Sequence, residues 1–249
     1  MIQKYRKGDN MDQRVKEILE KSRYAVFFGG AGVSTDSGIP DFRSSGGLYS
    51  ADGADAPERI LRESAIIRTP ERFYNYYRSS MLYPYAEPNP AHRALAALER
   101  AGKLTAVVTQ NIDGLHQAAG SEKVIELHGS VHRNYCLRCG KKFGLDYILE
   151  ADGVPYCDKC GGLVRPDVVM YGEGLDGECF SRAEEAIGEC DVLIVGGTSL
   201  TVNPAASLVA DFMGEHLIIV NRSATPYDGY AEFIFRQGIS EFLTEIVDY

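Results

Sequence analysis

Two C-x-x-C pairs, Cys136-Leu137-Arg138-Cys139 and Cys157-Asp158-Lys159-Cys160, each followed by glycine, carry a metal-ligating pattern. Soft thiolates converging from two turns suit tetrahedral zinc. Met1 to Glu20 is charged and polar, without a signal-peptide core, so the pairs read as zinc ligands rather than disulfides. Four protein ligands leave no open position, so such an ion would staple structure rather than activate water. Cys179 and Cys190 have no paired partner in sequence and read as buried small side chains.

A second chemistry is written at the ends of apolar runs. Tyr24 to Phe28 leads into Gly30 to Arg43, GAGVSTDSGIPDFR. Gly30 and Gly32 would let backbone N–H groups approach a pyrophosphate, and a helix starting near Ser34 would aim its positive end there. Thr35 stands where the usual dinucleotide fingerprint has a third glycine. Ile39-Pro40-Asp41-Phe42-Arg43 suits a loop folded over a cofactor, in chemistry other than hydride transfer.

Leu104 to Val108 runs into Thr109-Gln110-Asn111-Ile112-Asp113-Gly114-Leu115-His116. Those amides and the carboxylate can read an amide and ribose hydroxyls, while Ile112 supplies an apolar wall. Val124 to Leu127 delivers His128-Gly129 to the same edge, and His128 reads as a general base. His92, His132 and His216 read as structural. Val192 to Val195 ends in Gly196-Gly197-Thr198-Ser199, and Leu217 to Val220 ends in Asn221. Four strand ends converging with the glycine turn indicate a dinucleotide across a sheet.

The elements that must position these groups follow from the apolar runs. Val15 to Leu19 reads as an amphipathic helix, and Pro90 to Ala101 and Glu178 to Ile187 as further helices. Short buried strands alternating with helices predict an α/β fold with a doubly wound parallel sheet. Ser44 to Pro88 shows no clear buried strand and reads as a helical insertion; His132 to Val169 reads as a small metal-held module. The expected partition is a discontinuous large domain of residues 1–43, 89–131 and 170–249, with residues 44–88 and 132–169 forming a smaller inserted domain and the active-site cleft between them.

The 249 residues are 45% hydrophobic, enough for a real core. With 26 basic against 35 acidic residues the net charge is -9, which argues against nucleic-acid binding and favours basic peptide substrates. No apolar run reaches the roughly 20 residues of a membrane span. A cytoplasmic setting and no membrane are expected.

In their order, GAGVSTDSGIPDFR, TQNIDGLH, His128-Gly129, the cysteine pairs, GTSL from Gly197 to Leu200 and Val220-Asn221 resemble a sirtuin over nearly the whole chain. The resemblance implies a Rossmann-type NAD-binding domain, a smaller domain of a helical and a zinc-ribbon module, one structural zinc and NAD-dependent protein lysine deacetylation. It implies that the acyl oxygen of acetyl-lysine attacks the ribose carbon bearing nicotinamide, that NAD is consumed as co-substrate, and that O-acetyl-ADP-ribose and lysine are the products. His128 would be the general base, with Asn111 also catalytic.

By the same resemblance Ala31, Ile112 and Asp113 line the nicotinamide pocket, and Phe42 shields the reacting sugar. Gly30, Gly32, Thr35, Asp41 and Arg43 belong to the cofactor turn and loop. Gln110 and Asn111 hold the ribose and an ordered water, while Gly197, Thr198, Ser199, Asn221 and Ile239 meet the phosphates and adenosine. Val168 and Val169, before Tyr171-Gly172-Glu173, resemble the edge that takes substrate backbone by β-strand addition; the family commonly has phenylalanine at Tyr171. Other neutral acyl groups and mono-ADP-ribosylation are the alternatives within the family. A classical NAD dehydrogenase leaves the cysteines and the PDFR loop unexplained, and a nucleic-acid zinc ribbon conflicts with the charge. Sirtuins preferring succinyl or malonyl lysine carry tyrosine and, three residues later, arginine. Here Tyr74 is followed by Tyr77, with Arg78 about 100° further round a helix, so neutral acyl groups, acetyl foremost, are expected over succinyl.

Overall fold

The structure is a computed structural model that describes residues 11–41 and 56–247. Its strands are β1 (Ala25–Gly29), β2 (Ala106–Thr109), β3 (Val124–Glu126), β4 (Gly129–Cys136), β5 (Lys142–Phe143), β6 (Val164–Val168), β7 (Val192–Gly196), β8 (His216–Val220) and β9 (Phe233–Phe235). Its α-helices are α1 (Met11–Lys21), α2 (Pro57–Ile60), α3 (Glu63–Arg68), α4 (Pro70–Tyr76), α5 (Pro90–Arg100), α6 (Leu115–Ala118), α7 (Leu145–Glu150), α8 (Gly177–Glu189) and α9 (Ile239–Ile246).

A six-stranded parallel sheet runs in the order β3-β2-β1-β7-β8-β9. Counted within this sheet alone the order is 3-2-1-4-5-6, the Rossmann order, whose direction reverses between β1 and β7. The apolar runs at β1 and β7 are buried at every position because both sheet faces are covered. Phe27, Val107, Ile194 and Ile218 join one core with residues of α1, α5 and α9. Their neighbours Phe28, Val108, Leu193 and Ile219 point the other way, into a core with Ala183 and Ile187 of α8. Burying each phenylalanine contributes about 2 kcal/mol.

The chain leaving β1 departs from the expected helix near Ser34. It makes two 3-10 turns instead, Ala31–Val33 and Thr35–Ser37. The Gly30 and Gly32 amides, expected to face a pyrophosphate, donate to Gly196 O (3.3 Å) and Gly197 O (2.8 Å). A Cβ on Gly32 would lie 2.8 Å from Gly197 Cα. These glycines therefore let the turn sit on the neighbouring strand end, and backbone packing rather than a helix dipole shapes this corner.

Residues 57–81 form short helices packed against a second, antiparallel sheet of order β5-β4-β6. Leu61, Ile66, Phe73, Tyr74, Val131 and Val164 share this third core. β4 starts directly after His128 and pairs Gly129 with Val168, which ties the small sheet to the carboxyl end of β3. Helix α5 is held by a capping box. Asn89 Oδ1 accepts from Ala91 N (2.9 Å) and His92 N (3.4 Å), and Asn89 N donates to His92 Nδ1 (3.3 Å). The Asn89 amide also donates to Val33 O (2.7 Å), fastening this cap to the glycine turn.

Candidate functional site

The four cysteines of the two pairs are free thiols, and their sulfurs all lie within 4.8 Å of one another. Cys136 Sγ is 3.5 Å from Cys160 Sγ, and Cys139 Sγ is 3.7 Å from Cys157 Sγ. Four sulfurs each 2.3 Å from one ion in a tetrahedron stand about 3.8 Å apart, so the set fits one zinc. The two turns repeat one bond, Gly140 N to Cys136 O (2.9 Å) and Gly161 N to Cys157 O (2.8 Å). Gly162 leaves the thiolates their room, since a Cβ there would come 2.8 Å from Cys136 Sγ. Cys190 is buried as expected, but Cys179 is only half-buried, with Sγ 3.4 Å from Glu126 O.

A cleft of about 1000 Å³ opens at the carboxyl ends of the large sheet. This is the crevice where the strand order reverses, the ligand position in such sheets. Ala31, Gly32, Thr35 and Asp41 border it from the turn after β1, and Gln110, Asn111, Ile112 and Asp113 from the end of β2. His128 arrives after β3, Gly197, Thr198 and Ser199 after β7, Asn221 after β8, and Ile239 at the start of α9. Gly30 sits behind this lining. Phe42 and Arg43 lie outside the described residues.

Ser34, read in the sequence only as the start of a helix, is the hub of the cleft's polar floor. Its hydroxyl donates to Asp113 Oδ2 (2.6 Å), accepts from Asn111 Nδ2 (3.0 Å) and lies 3.5 Å from His92 Nε2. Because His92 Nδ1 accepts from Asn89 N, the neutral ring carries its proton on Nε2, facing Ser34. Asp113 Oδ1 accepts from Leu115 N (2.9 Å), and its carbonyl accepts from His132 Nε2 (3.0 Å). His92, expected to be structural, thus reaches Asp113 through Ser34, and His132, also expected to be structural, holds the Asp113 backbone and borders the cleft. Burial pushes His92 down to about 4, although Asp113 pulls the other way. His116, edge-on to His92 at 4.8 Å, is pushed by burial to about 3. His216 lies apart, paired with Glu232 at 2.6 Å.

His128 Nδ1 lies 2.8 Å from Gln110 O. A carbonyl can only accept, so Nδ1 carries the proton and Nε2 is left as the basic nitrogen. Burial lowers the His128 pKa, which outweighs the opposing effect of the Gln110 bond and keeps the ring neutral near pH 7. Gln110 Oε1 accepts from Thr198 Oγ1 (3.0 Å), while its Nε2 is buried with no partner among the described residues. A donor so placed at the cleft suits a ribose oxygen. Ser199 Oγ is 2.8 Å from Thr201 Oγ1, and Asn221 Nδ2 donates to Ser223 O. The Ile239 side chain is buried in the sheet core.

On the opposite wall, β6 is an edge strand. Val168 pairs with Gly129, and Val169 N donates to His128 O (3.0 Å). Tyr171 is pinned through its backbone, N to Leu61 O (3.0 Å) and O from Glu63 N (3.2 Å). Gly172 turns the chain, and Glu173 folds back on Arg165 (2.5 and 3.0 Å) and Met170 N (2.7 Å). Val168 O also accepts from Arg165 Nη2 (3.0 Å) and Met170 O from Glu173 N (3.0 Å), so Arg165 and Glu173 already hold backbone groups of this stretch.

A family profile described as the Sir2 family matches residues 30–204. An NAD-dependent protein deacetylase of Cutibacterium acnes is 53% identical over 237 residues, 94% of this chain and 96% of that protein. Among solved structures, a Sir2 with a p53 peptide and NAD+ is 41% identical with a TM-score of 0.84. A second, with a deacetylated p53 peptide and 3′-O-acetyl ADP ribose, is 40% identical with a TM-score of 0.87. Each alignment covers 94% of this chain and 96% of the other. The family match spans well over half of the sequence, the motif order agrees with it and so does the sheet order: this chain belongs to the Sir2 family.

Proposed function

We infer that the protein is an NAD-dependent protein lysine deacetylase, which converts acetyl-lysine, NAD and water to lysine, nicotinamide and O-acetyl-ADP-ribose. The observation that carries this reading is a neutral, cleft-bordering His128 whose Nδ1 proton is committed to Gln110 O, leaving Nε2 as base. When bound, NAD supplies an electrophilic ribose carbon and, after nicotinamide leaves, the acyl acceptor.

The chain's own groups divide the remaining work. Asp113, oriented by Ser34 and Leu115 N, accepts from the nicotinamide carboxamide, and Ile112 and Ala31 keep water away. Gln110 Nε2 donates to ribose, and Asn111 steadies Ser34 from the same floor. His128 Nε2 takes the proton from a ribose hydroxyl as that oxygen attacks the acyl carbon. Thr198, Ser199 and Asn221 serve the phosphate and adenosine end. Acetyl-lysine peptides lie beside Val168 and Val169 by strand addition. We assign residues 44–88 and 132–169 to a smaller domain, held by zinc, whose described residues supply the far wall. Free thiols suit a reducing cytoplasm. Among the described residues no helix is long and apolar enough to cross a membrane.

NAD labelled in its adenosine moiety tests the reaction class. Label recovered in a small acetylated nucleotide supports acyl transfer; label retained on protein would establish mono-ADP-ribosylation instead.

A further inference from the structure

Among the described residues, the end of the cleft assigned to adenosine carries no acid. In Rossmann sheets a carboxylate beyond a strand end hydrogen-bonds the adenosine ribose 2′-hydroxyl and so selects NAD, whereas an arginine there accommodates a 2′-phosphate. Here β8 ends in Asn221-Arg222-Ser223, an amide, a guanidinium and a hydroxyl in succession, and all three border the cleft. The carboxylates that border it are Asp36, Asp41, Asp113 and Glu173, from the turn after β1, the end of β2 and the stretch after β6. Those contributed after β7, after β8 and at the start of α9 include none.

The segment is held in place before any ligand arrives. Asn221 N donates to Phe235 O (3.0 Å) and Asn221 Nδ2 to Ser223 O (2.9 Å). Arg236 Nη1 donates to Asn221 O (3.2 Å) and Ser223 O (3.1 Å), which fixes the backbone on both sides of Arg222. The nearby acids are engaged: Asp228 pairs with Arg236, and Glu245 accepts from Gln237 Nε2 (2.9 Å). Arg222 is exposed and has no ion-pair or hydrogen-bond partner among the described residues. A Cβ on Gly238 would lie 3.2 Å from its Nη2, so the guanidinium stands on the rim between the end of β8 and the start of α9. With Nδ2 committed, Asn221 keeps Oδ1 to accept from a ribose hydroxyl, and a neutral amide oxygen does not repel a neighbouring phosphate as a carboxylate would.

We propose that Arg222 and Ser223 Oγ form a subsite for a phosphate on the adenosine ribose, making 2′-phosphorylated dinucleotides, NADP among them, ligands of this cleft. The guanidinium offers the forked donor geometry that suits phosphate. The proposal rests on the NAD-dependent reading above, which sets the adenosine at this end.

Isothermal titration of ADP-ribose and of 2′-phospho-ADP-ribose into the wild type and Arg222→Gln tests the subsite without turnover. The wild type should bind the phosphorylated ligand about tenfold more tightly, the scale of one charge-assisted hydrogen bond. Arg222→Gln should bring the two affinities together or reverse their order. A wild type that binds both equally or prefers ADP-ribose overturns the proposal, and so does a preference that persists undiminished in Arg222→Gln. Binding of neither ligand would remove the NAD-dependent reading along with the proposal, whereas ADP-ribose binding without a preference for the 2′-phosphate removes the proposal alone.

Discussion

The four-cysteine cluster and the cleft are both polar sites, but the chain builds them in opposite ways. Cys136 and Cys160 are 24 residues apart, and the ligands come from two short turns with half of them open to solvent or nearly so. The cleft draws on the ends of β1, β2, β3, β7 and β8 and is backed by apolar cores on both faces of the large sheet. The first arrangement brings four thiolates together at the edge of the third core, with Cys136 and Cys157 buried in it, and so depends on an ion to offset their repulsion. The second is preorganised by packing and can hold a neutral imidazole and an oriented carboxylate before any ligand arrives.

The largest effect should come from the cleft. His128→Ala should lower turnover by about a hundredfold to ten-thousandfold while NAD affinity and Tm change little. Near wild-type turnover would show that the base is another group. Next comes the metal site. Cys157→Ala, or zinc removal by a chelator, should abolish zinc binding and raise amide exchange in residues 132–169, since the ion supplies folding energy there. Amides of β1 and β7 should stay protected, and equal loss of their protection would mean the two regions are one cooperative unit.

A smaller effect tests the polar floor. Ser34→Ala should weaken kcat/KM for NAD about tenfold, because Asp113 loses the hydroxyl that orients it, with little change in KM for peptide. A tenfold rise in peptide KM with NAD kinetics intact would place Ser34 on the wrong side of the cleft.

A separate effect, on stability rather than turnover, concerns pH. His92 and His116 are held below the ordinary histidine value, at about 4 and about 3. Between roughly pH 6.5 and these values the unfolded chain binds more protons than the folded one, so stability is present above that window and falls with pH through it. Thermal unfolding followed from about pH 7 to about pH 4 should show this decline, and His116→Leu should flatten it. A flat wild-type profile would contradict the buried neutral pair.

What the sequence disclosed follows the same division. The cysteine site was legible because its ligands and turn glycines are local, and His128 and Asp113 because reactive types stand at strand ends. Ser34 was not, since its partners lie 77 and 79 residues away and meet it only after β1 and β2 pair. The same long-range pairing hid the support His92 gives from its helix cap. It also explains the missing helix near Ser34, because Gly30 and Gly32 bond to the end of β7, a strand more than 150 residues on. Glu173 reads as a substrate contact by position; it borders the cleft, with its carboxylate paired to Arg165 on β6, a partner the sequence did not single out.

The central claim is tested most directly by the mass of an acetyl-lysine peptide incubated with the protein, with and without NAD. The account predicts loss of one acetyl group only when NAD is present, with one nicotinamide released per peptide deacetylated. Equal deacetylation without NAD, or none with it, would contradict the account.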